Sequence, residues 1–307
     1  MEQFAETLRQ ENIGHVVINE PLSKHTTIKL GGPAELYVEP KDVESLIRLM
    51  DFIGTAGKEW FVIGRGSNLL IKDGGIKGVV INLAKGIQHL NYVDEERIVV
   101  GGGYPLIKLV TIISRKGLSG LEFAGGIPGS VGGAVYMNAG AHGSDMSNIV
   151  TRVHVLFSDG TMKWLTNKDM QFSYRTSRLQ AERGIVVEVE MQLKKGDKDR
   201  IVQEMKKHKD YRRDTQPWND PCCGSVFRNP LPDHSGALIE KAGLKGKKMG
   251  GVMISSMHGN FIINVDKDKA KAQDVLDLIA FIKQTIKEKY NIELETEVEI
   301  VGETPVS

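Results

Sequence analysis

Apolar residues recur at two spacings along the chain, and each spacing predicts a different kind of element. Spacings of three and four residues predict helices over residues 2–11, 42–56, 105–116, 199–213, 235–242 and 268–290. Alternating or short continuous apolar runs predict strands over residues 34–39, 60–64, 69–72, 79–83, 97–101, 152–157, 162–165, 184–193, 251–255, 260–265 and 292–301. Helices and short strands are therefore interspersed along the chain.

Turn-forming residues mark several ends of these elements. Asp42 stands where an N-cap is expected, and Pro105 stands in the first turn of the next helix. Asp159-Gly160 separates two strand-like runs, which predicts a hairpin. Gly243 follows a short helix and is expected at its C′ position.

Composition and charge argue against nucleic-acid-binding, membrane-spanning and secreted proteins. The 307 residues carry 40 basic and 39 acidic side chains, a net charge of +1, and no segment concentrates one sign. This argues against a nucleic-acid-binding protein, which needs a concentrated basic surface. No apolar run approaches the roughly 20 residues of a membrane helix, and the polar first residues do not resemble a secretory signal. We therefore expect a soluble protein of two domains.

The two cysteines, Cys222 and Cys223, are adjacent. Adjacent residues cannot join distant parts of a fold by a disulfide, and their spacing does not match a zinc site, which usually needs four ligands. The histidines show no metal-ligand spacing either. We expect a cytoplasmic protein without a metal.

Two glycine-rich segments point to a ligand. Residues 123–143 read FAGGIPGSVGGAVYMNAGAHG, and residues 62–70 read VIGRGSNLL. Glycine lets the main chain approach a ligand closely, and consecutive N–H groups exposed in this way form sites for phosphate. One such loop would be equally consistent with a tight turn. Two of them, flanked by apolar strand-like runs, favour a nucleotide cofactor whose diphosphate is held by main chain.

The shorter segment does not fit the dinucleotide fingerprint G-x-G-x-x-G. Gly64 and Gly66 occupy the first two glycine positions, but Leu69 stands at the third, and the following residues resemble a strand instead of a helix. The sequence therefore excludes a Rossmann domain and assigns the phosphates to a loop between two strands.

Further motifs extend in order over nearly the whole chain, and together they resemble the UDP-N-acetylenolpyruvoylglucosamine reductase family. The matching segments are GLSGLEFAGGIPGSVGGAVYMNAGAHG, VIGRGSNLL, HTTIKLGGPAELYVEP, FSYRTS, CGSVFRNP, AGLKGKKMGGVMIS, HGNFIIN and EVEIVG. The glycine segments alone would indicate only the wider superfamily of flavoproteins that bind FAD in two α+β subdomains.

The resemblance implies an α+β chain with the two-subdomain FAD-binding fold of the vanillyl-alcohol-oxidase/PCMH type, plus a smaller α+β substrate-binding domain. The expected FAD-binding domain covers residues 1–197, with subdomains of about 1–82 and 83–197. The expected substrate-binding domain covers residues 198–290, and residues 291–307 form a C-terminal strand and tail that carries a catalytic glutamate.

The resemblance also implies an activity: NADPH reduces non-covalent FAD, which then reduces UDP-N-acetylglucosamine enolpyruvate to UDP-N-acetylmuramate for peptidoglycan synthesis. Ser67 and Asn68 stand near where covalent-flavin relatives carry the linking histidine. Residues 178–184 are too few for the extra tyrosine loop of one subgroup, so the chain resembles the subgroup without it. We expect a monomer that acts on a small molecule, and neither nucleic acid nor membrane as a partner.

By resemblance, the substrate contacts Tyr174, Arg213 and Asn229. His142 is expected to be a loop contact near the flavin, without an acid–base role. The expected cofactor residues are Gly64, Arg65, Gly66, Ser67, Asn68, Gly125, Gly126, Ile127, Pro128, Gly129, Ser130, Gly132, Gly133, Asn138, Ala139 and Gly140.

The family reaction adds a hydride to the vinyl carbon of the substrate and a proton to the neighbouring carbon. Negative charge develops on that second carbon and its carboxylate, so the site needs a fixed positive charge and a proton donor. Arg175 in FSYRTS matches the first role, because guanidinium binds carboxylate in a fork. Ser225 in CGSVFRNP matches the proton donor of the family. By position alone, Arg175 would be a surface arginine and Ser225 a turn serine.

A third catalytic residue, Glu297, is expected to polarise the intermediate or to assist its protonation. A regular strand over residues 292–301 would place four glutamates on one face, as in any solvated acidic strand. These glutamates are Glu293, Glu295, Glu297 and Glu299. Only the family spacing E-V-x-x-x-G selects Glu297, and Glu295 is the alternative.

Two other functions stay open. One is a flavin oxidase or dehydrogenase of the same superfamily that acts on a hydroxyl substrate, although CGSVFRNP and EVEIVG argue against it. The other is a non-catalytic protein that binds nucleotide sugars. Bleaching of the bound flavin by NADPH would distinguish the reductase from the first. A colourless protein that cannot be reconstituted with FAD would favour the second.

Overall fold

The structure, a computed structural model, describes residues 1–305. Its helices are α1 (Glu2–Gln10), α2 (Val43–Thr55), α3 (Leu106–Arg115), α4 (Val131–Tyr136), α5 (Lys198–Thr215), α6 (Ser235–Lys241) and α7 (Ala272–Tyr290). Its strands are β1 (Gly14–Pro21), β2 (Pro33–Pro40), β3 (Trp60–Ile63), β4 (Leu69–Ile71), β5 (Ile76–Asn82), β6 (Leu90–Tyr92), β7 (Arg97–Gly101), β8 (Leu118–Ser119), β9 (Gly140–Ala141), β10 (Ser144–Asp145), β11 (Val150–Phe157), β12 (Met162–Thr166), β13 (Gly184–Gln192), β14 (Lys194–Lys195), β15 (Lys248–Met249), β16 (Val252–Ile254), β17 (Ile262–Asn264) and β18 (Glu299–Val301).

The chain forms two compact units, and neither is continuous in sequence. The first unit comprises residues 1–18, 36–65 and 78–211. The second unit comprises residues 19–35, 66–77 and 212 onward. The GRGSN loop therefore begins in the first unit and ends in the second.

The larger sheet of the first unit has five antiparallel strands in the order β12-β11-β13-β7-β6. Val153 of β11 lies opposite Val189 of β13, and both are fully buried. Leu109 and Ile113 of α3 and Val135 of α4 belong to the same apolar core. This core fixes the glycine-rich residues that lead into α4.

A second core in the first unit surrounds α1 and α2. The carboxylate of Asp42 accepts a hydrogen bond from the N–H of Ser45 at 2.7 Å, so the predicted N-cap of α2 is confirmed. Leu46 and Leu49 are buried on the apolar face of α2. β5 lies between β2 and β3, the two strands that flank α2 in the sequence, and it pairs with β3 in parallel.

The second unit is built around α6, α7 and the antiparallel sheet β15-β16-β17. The carboxylate of Asp73 accepts hydrogen bonds from the N–H groups of Ala272 (2.9 Å) and Gln273 (3.0 Å) in the first turn of α7. β18 pairs in parallel with β4, with Glu299 opposite Leu69. Early and late segments of the chain thus form one unit.

Most predicted elements are confirmed, with their boundaries shifted by a few residues. The Asp159-Gly160 turn joins β11 and β12 as an antiparallel hairpin, and Gly243, with φ of +78°, occupies the predicted C′ position after α6. The predicted helix 268–290 begins later, at Ala272, where Asp73 supplies the acceptors for its first N–H groups.

Helix α4 was not predicted, because VGGAVY contains two glycines and two β-branched valines, all weak helix formers. Its first turn is stabilised by Ser130, whose Oγ accepts from the N–H of Gly133 at 3.3 Å. The N–H of Gly132 donates to the oxygen of Gly102 at 2.8 Å. A Cβ on Gly132 would lie 3.0 Å from that oxygen, so close packing explains the glycine.

The predicted strand 292–301 is wrong for most of its length, since only Glu299–Val301 is a strand. Thr296 forms an isolated bridge with Phe227 instead of a ladder. Leu294 and Val298 are nevertheless buried. The chain therefore keeps its apolar contacts here without regular alternation.

The mixture of helices with largely antiparallel sheets confirms the α+β class. GRGSN connects β3 to β4 without opening a helix, in agreement with the exclusion of a Rossmann domain. Within residues 1–305, no helix combines the length and the apolar character needed to cross a bilayer.

Candidate active site

The two glycine segments meet in the first unit. Gly64 directly follows β3, and a Cβ built on it would lie 2.5 Å from Oγ of Ser130. The oxygen of Gly64 accepts a 3.5 Å hydrogen bond from Nδ2 of Asn82, at the end of β5. The first glycine of GRGSN and the serine that begins α4 therefore face each other with room for no side chain at position 64.

Main-chain hydrogen bonds hold the longer glycine segment in place. The oxygen of Gly129 accepts from the N–H of Leu106 at 3.0 Å, and the N–H of Val131 donates to the oxygen of Tyr104 at 2.9 Å. Gly129 has φ of +136°, which favours glycine. The loop before α4 is thus fixed against the residues that begin α3.

The second half of GRGSN lies in the second unit. Gly66 has φ of +62°, and a Cβ on it would lie 2.3 Å from the oxygen of His25. The N–H of Thr27 donates to the oxygen of Gly66 at 3.2 Å, and Thr27 Oγ1 donates to the oxygen of Cys222 at 2.6 Å. Thr27, in the HTTIKLGG segment, therefore connects GRGSN to the residues before Ser225.

The residues present fit a cofactor that carries a diphosphate. A Cβ on Gly64 would meet Oγ of Ser130, so residue 64 contributes only main chain to this part of the loop. Residues 64–68 and 125–140 contain no acidic side chain, and Arg65 adds an exposed positive charge. Such loops suit a doubly charged anion, because N–H groups can point at it without carboxylate repulsion.

The end of the longer glycine segment is joined to the FSYRTS segment. Asn138 is buried, with φ of +42°; its Oδ1 accepts from the N–H of Ser147 (3.0 Å) and its Nδ2 donates to the oxygen of Ser173 (2.9 Å). Nη2 of Arg175 donates to the oxygen of Gly140 at 2.8 Å. Both groups of the Asn138 amide are thus used inside the protein, which favours a supporting role over direct cofactor contact.

Arg175 is half-buried and has a left-handed backbone, with φ of +55°. Gln180 supports it, because Nε2 of Gln180 donates to the oxygen of Arg175 at 3.0 Å. The exposed ring of Tyr174 lies 5.0 Å from the guanidinium carbon of Arg175. The structure places these two predicted residues side by side in the first unit.

Ser225 lies in the second unit and is half-buried. Among the described residues, its hydroxyl has no hydrogen-bond partner. Gly224 precedes it with φ of +77°, and a Cβ there would lie 3.4 Å from the oxygen of Ser67. The serine is therefore close to the end of GRGSN and its hydroxyl is available to a ligand.

Glu297 belongs to the same region of the second unit. Its N–H donates to the oxygen of Val226 at 2.8 Å, and its oxygen accepts from Nδ2 of Asn68 at 3.1 Å. Ser225, Glu297 and the end of GRGSN are thus brought together by main-chain contacts.

Two neighbouring glutamates, Glu293 and Glu295, are more exposed than Glu297. Glu297 is half-buried, whereas Glu295 is exposed and Glu293 is paired with Lys287 at 2.7 Å. The predicted common face does not exist, because residues 292–298 do not form a regular strand. Burial therefore favours Glu297 over Glu295, although it tests no catalytic role.

The remaining predicted substrate residues also lie in the second unit. Oδ1 of Asn229 accepts from the N–H of Ser235 (3.2 Å) and from its hydroxyl (3.1 Å), so this oxygen supports the start of α6. The Nδ2 group of Asn229 makes no hydrogen bond among the described residues, so it can donate to a ligand. Arg213 is exposed near the end of α5, where Nε contacts Asp214 at 3.0 Å.

The cysteines do not provide a reactive thiolate. Burial raises the pKa of the Cys223 thiol to about 12, and burial also raises the pKa of Cys222. No cluster of three or more potential metal ligands occurs within residues 1–305.

Comparison with known proteins identifies the family. Residues 34–166 match the family described as FAD binding domain, and residues 216–301 match the family described as UDP-N-acetylenolpyruvoylglucosamine reductase, C-terminal domain. The UDP-N-acetylenolpyruvoylglucosamine reductase of Halalkalibacterium halodurans is 59% identical, covering 99% of this chain and 100% of the relative. The chain belongs to the UDP-N-acetylenolpyruvoylglucosamine reductase family.

Other members of the reductase family agree. The protein of that name from Bacillus subtilis is 57% identical over 98% of this chain and 99% of its own length. The crystal structure of the enzyme from Thermus caldophilus matches with a TM-score of 0.79 and 38% identity, covering 93% of this chain and 98% of that one. The predicted FAD-binding fold of the vanillyl-alcohol-oxidase/PCMH type is thereby confirmed for this member of the reductase family.

Sequence reasoning on this reductase did not find Asn260, a buried residue in HGNFIIN that contacts the segment after Ser225. The motif itself carried the family resemblance. Its asparagine showed no local signal, since Phe227, which its side chain contacts, is 33 positions away in the sequence.

Proposed function

We propose that this chain catalyses the NADPH-dependent reduction of UDP-N-acetylglucosamine enolpyruvate to UDP-N-acetylmuramate, with bound FAD, for peptidoglycan precursor synthesis. One observation carries the proposal: 59% identity to a named reductase extends over 99% of the chain. The close approach of the two glycine segments in the first unit supports the flavin site.

The proposed roles of the segments follow the sequence prediction. Residues 1–197 bind FAD, residues 198–290 bind the substrate, and residues 291–307, of which the last two lie outside the described residues, carry Glu297. GRGSN and residues 125–140 hold the cofactor. FAD bound there would supply the hydride chemistry that links NADPH to the vinyl carbon of the substrate.

Arg175 stabilises the negative charge that develops on the substrate carboxylate. Its backbone oxygen is bonded to Gln180, and Nη2 is bonded to Gly140, so the guanidinium is held before substrate arrives. Guanidinium binds carboxylate in a fork, and a donor fixed in advance requires no reorganisation during the reaction. Tyr174, beside it, contacts the substrate.

Ser225 donates the proton to the carbon next to the vinyl carbon. A serine hydroxyl is a weak acid, so it transfers a proton only to a strongly basic carbon, and such a carbon forms when the hydride has been added. The hydroxyl has no partner among residues 1–305, which supports its availability to the substrate. Asn229 contributes Nδ2 to substrate binding, and Arg213 contributes positive charge.

Glu297 assists this protonation from the neighbouring segment. Its main chain is fixed by Val226 and Asn68, and its side chain is less exposed than that of Glu295. Partial burial strengthens the electrostatic effect of a carboxylate on a nearby substrate. The assignment of Glu297 instead of Glu295 rests on this burial and on the family spacing.

Anaerobic stopped-flow absorbance of the yellow protein tests the proposal. NADPH is expected to bleach the flavin, and the enolpyruvyl sugar nucleotide is expected to restore its colour. Bleaching without recovery would contradict the function and favour a different oxidoreductase of the superfamily. A protein that cannot be loaded with FAD would favour a non-catalytic nucleotide-sugar-binding protein.

We also propose that the chain acts as a monomer in the cytoplasm, without a metal, a nucleic acid or a membrane as partner, and that it belongs to the subgroup without the extra tyrosine loop. The single short turn Arg178–Gln180 before β13 supports the subgroup assignment. Light scattering after size-exclusion chromatography tests the monomer, and a mass of two chains would contradict it.

A further inference from the structure

Asn260 is buried, with 4% of its surface exposed, just before β17. Its Oδ1 accepts from the N–H of Phe227 at 2.9 Å, and its Nδ2 donates to the oxygen of Phe227 at 2.8 Å. Its own main-chain oxygen accepts from the N–H of Val226 at 2.9 Å. One asparagine therefore makes three hydrogen bonds to the two residues that follow Ser225.

One of these two residues, Val226, also contacts Glu297. The oxygen of Val226 accepts from the N–H of Glu297 at 2.8 Å and from the N–H of Val298 at 3.3 Å. The Val226 main chain is thus bonded to Asn260 through its N–H and to Glu297 through its oxygen. A displacement of this peptide would move the proposed proton donor and the proposed glutamate together.

Asn260 is itself held firmly. Its N–H donates to Nδ1 of His258 at 3.1 Å. The intervening Gly259 packs against α6, where an added Cβ would lie 2.7 Å from the oxygen of Gly236. The asparagine therefore cannot follow a shifted Ser225 segment without moving these neighbours.

We infer that Asn260 is a positioning residue of the reductase: it fixes the Ser225 hydroxyl and Glu297 in the arrangement that protonates the substrate. This inference rests on the proposed function. Asn260 touches neither the proposed donor nor the reacting atoms, so it acts through Val226 and Phe227.

Only an amide of this length satisfies both groups of Phe227. Aspartate would still accept a hydrogen bond from the N–H of Phe227. Its second carboxylate oxygen, however, would face the oxygen of Phe227 in place of the Nδ2 donor. Because a shift of about 1 Å in a catalytic group can slow a reaction ~100-fold, this loss is expected to reduce the rate of protonation strongly.

The chain offers a matched control, Asn264, at the end of the same strand. It is also 4% exposed, and its amide bonds the oxygen of Ile28 (3.2 Å) and the N–H of Asp266 (3.2 Å). Its side chain makes no hydrogen bond to the Ser225 segment. Asn264→Asp therefore reproduces the buried charge of Asn260→Asp without the contact under test.

The experiment compares the two half-reactions of the FAD-loaded wild type, Asn260→Asp and Asn264→Asp by anaerobic stopped-flow. In Asn260→Asp, flavin bleaching by NADPH should stay within about threefold of wild type, while recovery with the enolpyruvyl sugar nucleotide should slow ~100-fold. Asn264→Asp should change neither rate by more than about threefold. Equal slowing by both variants, or unchanged recovery in Asn260→Asp, would overturn the inference. If Asn260→Asp does not fold, Asn260→Ser is measured against the same criteria.

Amide hydrogen exchange gives a readout that does not depend on turnover. In Asn260→Asp or Asn260→Ser, the N–H groups of Val226, Phe227 and Glu297 should exchange at least tenfold faster, with no such change in Asn264→Asp. Unchanged exchange would overturn the inference. A wild-type protein whose flavin absorbance never returns with the substrate would contradict the proposed function. The hydrogen-exchange measurement would still decide whether Asn260 holds this segment.

Discussion

A Cβ on Gly64 would lie 2.5 Å from Oγ of Ser130, closer than non-bonded atoms can pack. These two residues lie 66 positions apart by their numbers, one after β3 and the other before α4, and both were predicted to line the cofactor site. The space between them is therefore set by the absence of one methyl group.

Gly64→Ala is expected to weaken FAD binding. Overpacking of this kind costs about 1–3 kcal/mol, which corresponds to a roughly 5–150-fold higher Kd if the loop must open to admit the methyl group. Flavin fluorescence titration of the apoprotein measures the change.

Two further variants control this prediction. Gly54→Ala, in an exposed position of α2 with no atom within 4 Å, should leave the Kd unchanged and raise stability by about 0.5–1 kcal/mol. Gly64→Ala combined with Ser130→Gly should recover part of the affinity. Full retention of FAD by Gly64→Ala alone would show that the contact does not shape the site.

Ser225→Ala should separate the two half-reactions. Flavin reduction by NADPH should be unchanged, because it does not require a proton on the substrate, whereas flavin recovery with the enolpyruvyl sugar nucleotide should slow by about 10²–10⁴-fold. Anaerobic stopped-flow measures both rates. An equal loss in both half-reactions would argue against the proton donor role.

Glu297→Gln should reduce kcat about 100-fold or more, because the half-buried carboxylate loses its charge. Glu295→Gln, at the exposed neighbouring glutamate, should change kcat less than threefold. Steady-state oxidation of NADPH measures the two variants side by side. The reverse ranking would transfer the role to Glu295.

Arg175→Lys should lower kcat about 100-fold, because an ammonium group cannot bond the oxygen of Gly140 and bind a carboxylate as a fork at the same time. Arg178→Lys is the control, because Arg178 lies close by in the sequence but forms an ion pair with Glu182. NADPH oxidation over a range of substrate concentrations separates kcat from KM. A variant Arg175→Lys with normal kcat and raised KM would restrict Arg175 to binding.

Acidification should destabilise the segment around His258. Burial, with help from Lys245, lowers the pKa of His258, so the fold favours the neutral ring, whose Nδ1 accepts from the N–H of Asn260. Of the groups around it, Arg212 also opposes protonation and Glu240 favours it. A lowered pKa in the folded state stabilises the fold above the unfolded value of about 6.5 and loses this contribution as the pH falls.

The measurement is the thermal midpoint between pH 7.5 and 5. The midpoint of the wild type should fall over this range by more than that of His258→Gln. His234→Gln, at an exposed histidine, should follow the wild type. Parallel curves for all three proteins would remove His258 as a source of the pH dependence.

Local signals were sufficient where neighbouring residues decide the structure. The N-cap Asp42, the hairpin at Asp159-Gly160 and the position of GRGSN between two strands were all predicted correctly from a few adjacent residues. Helix α4 was not, because the propensities of its glycines are weak and its packing on Gly102 decides the outcome.

Long-range contacts explain the other failures of prediction. Alternation over residues 292–301 suggested a continuous strand. In the structure, Thr296 forms an isolated bridge with Phe227 instead of a ladder, so the glutamates do not share a face. Asn260 could not be assigned a role, because its contacts with Val226 and Phe227 exist only after the chain has folded. The family resemblance named the catalytic candidates, whereas the arrangement of Ser225 and Glu297 within the second unit needed the structure.

The parallel pairing of β4 with β18 has a consequence for biosynthesis. Residues 69–71 leave the ribosome early, yet the strand that pairs with them is made only when residues 299–301 are translated. The carboxylate of Asp73 likewise gains its hydrogen-bond donors only when the first residues of α7 have been made. The unit that holds Ser225 and Glu297 therefore completes its folding after most of the chain has been synthesised. A nascent polypeptide that stalls before β18 would be inactive as an enzyme.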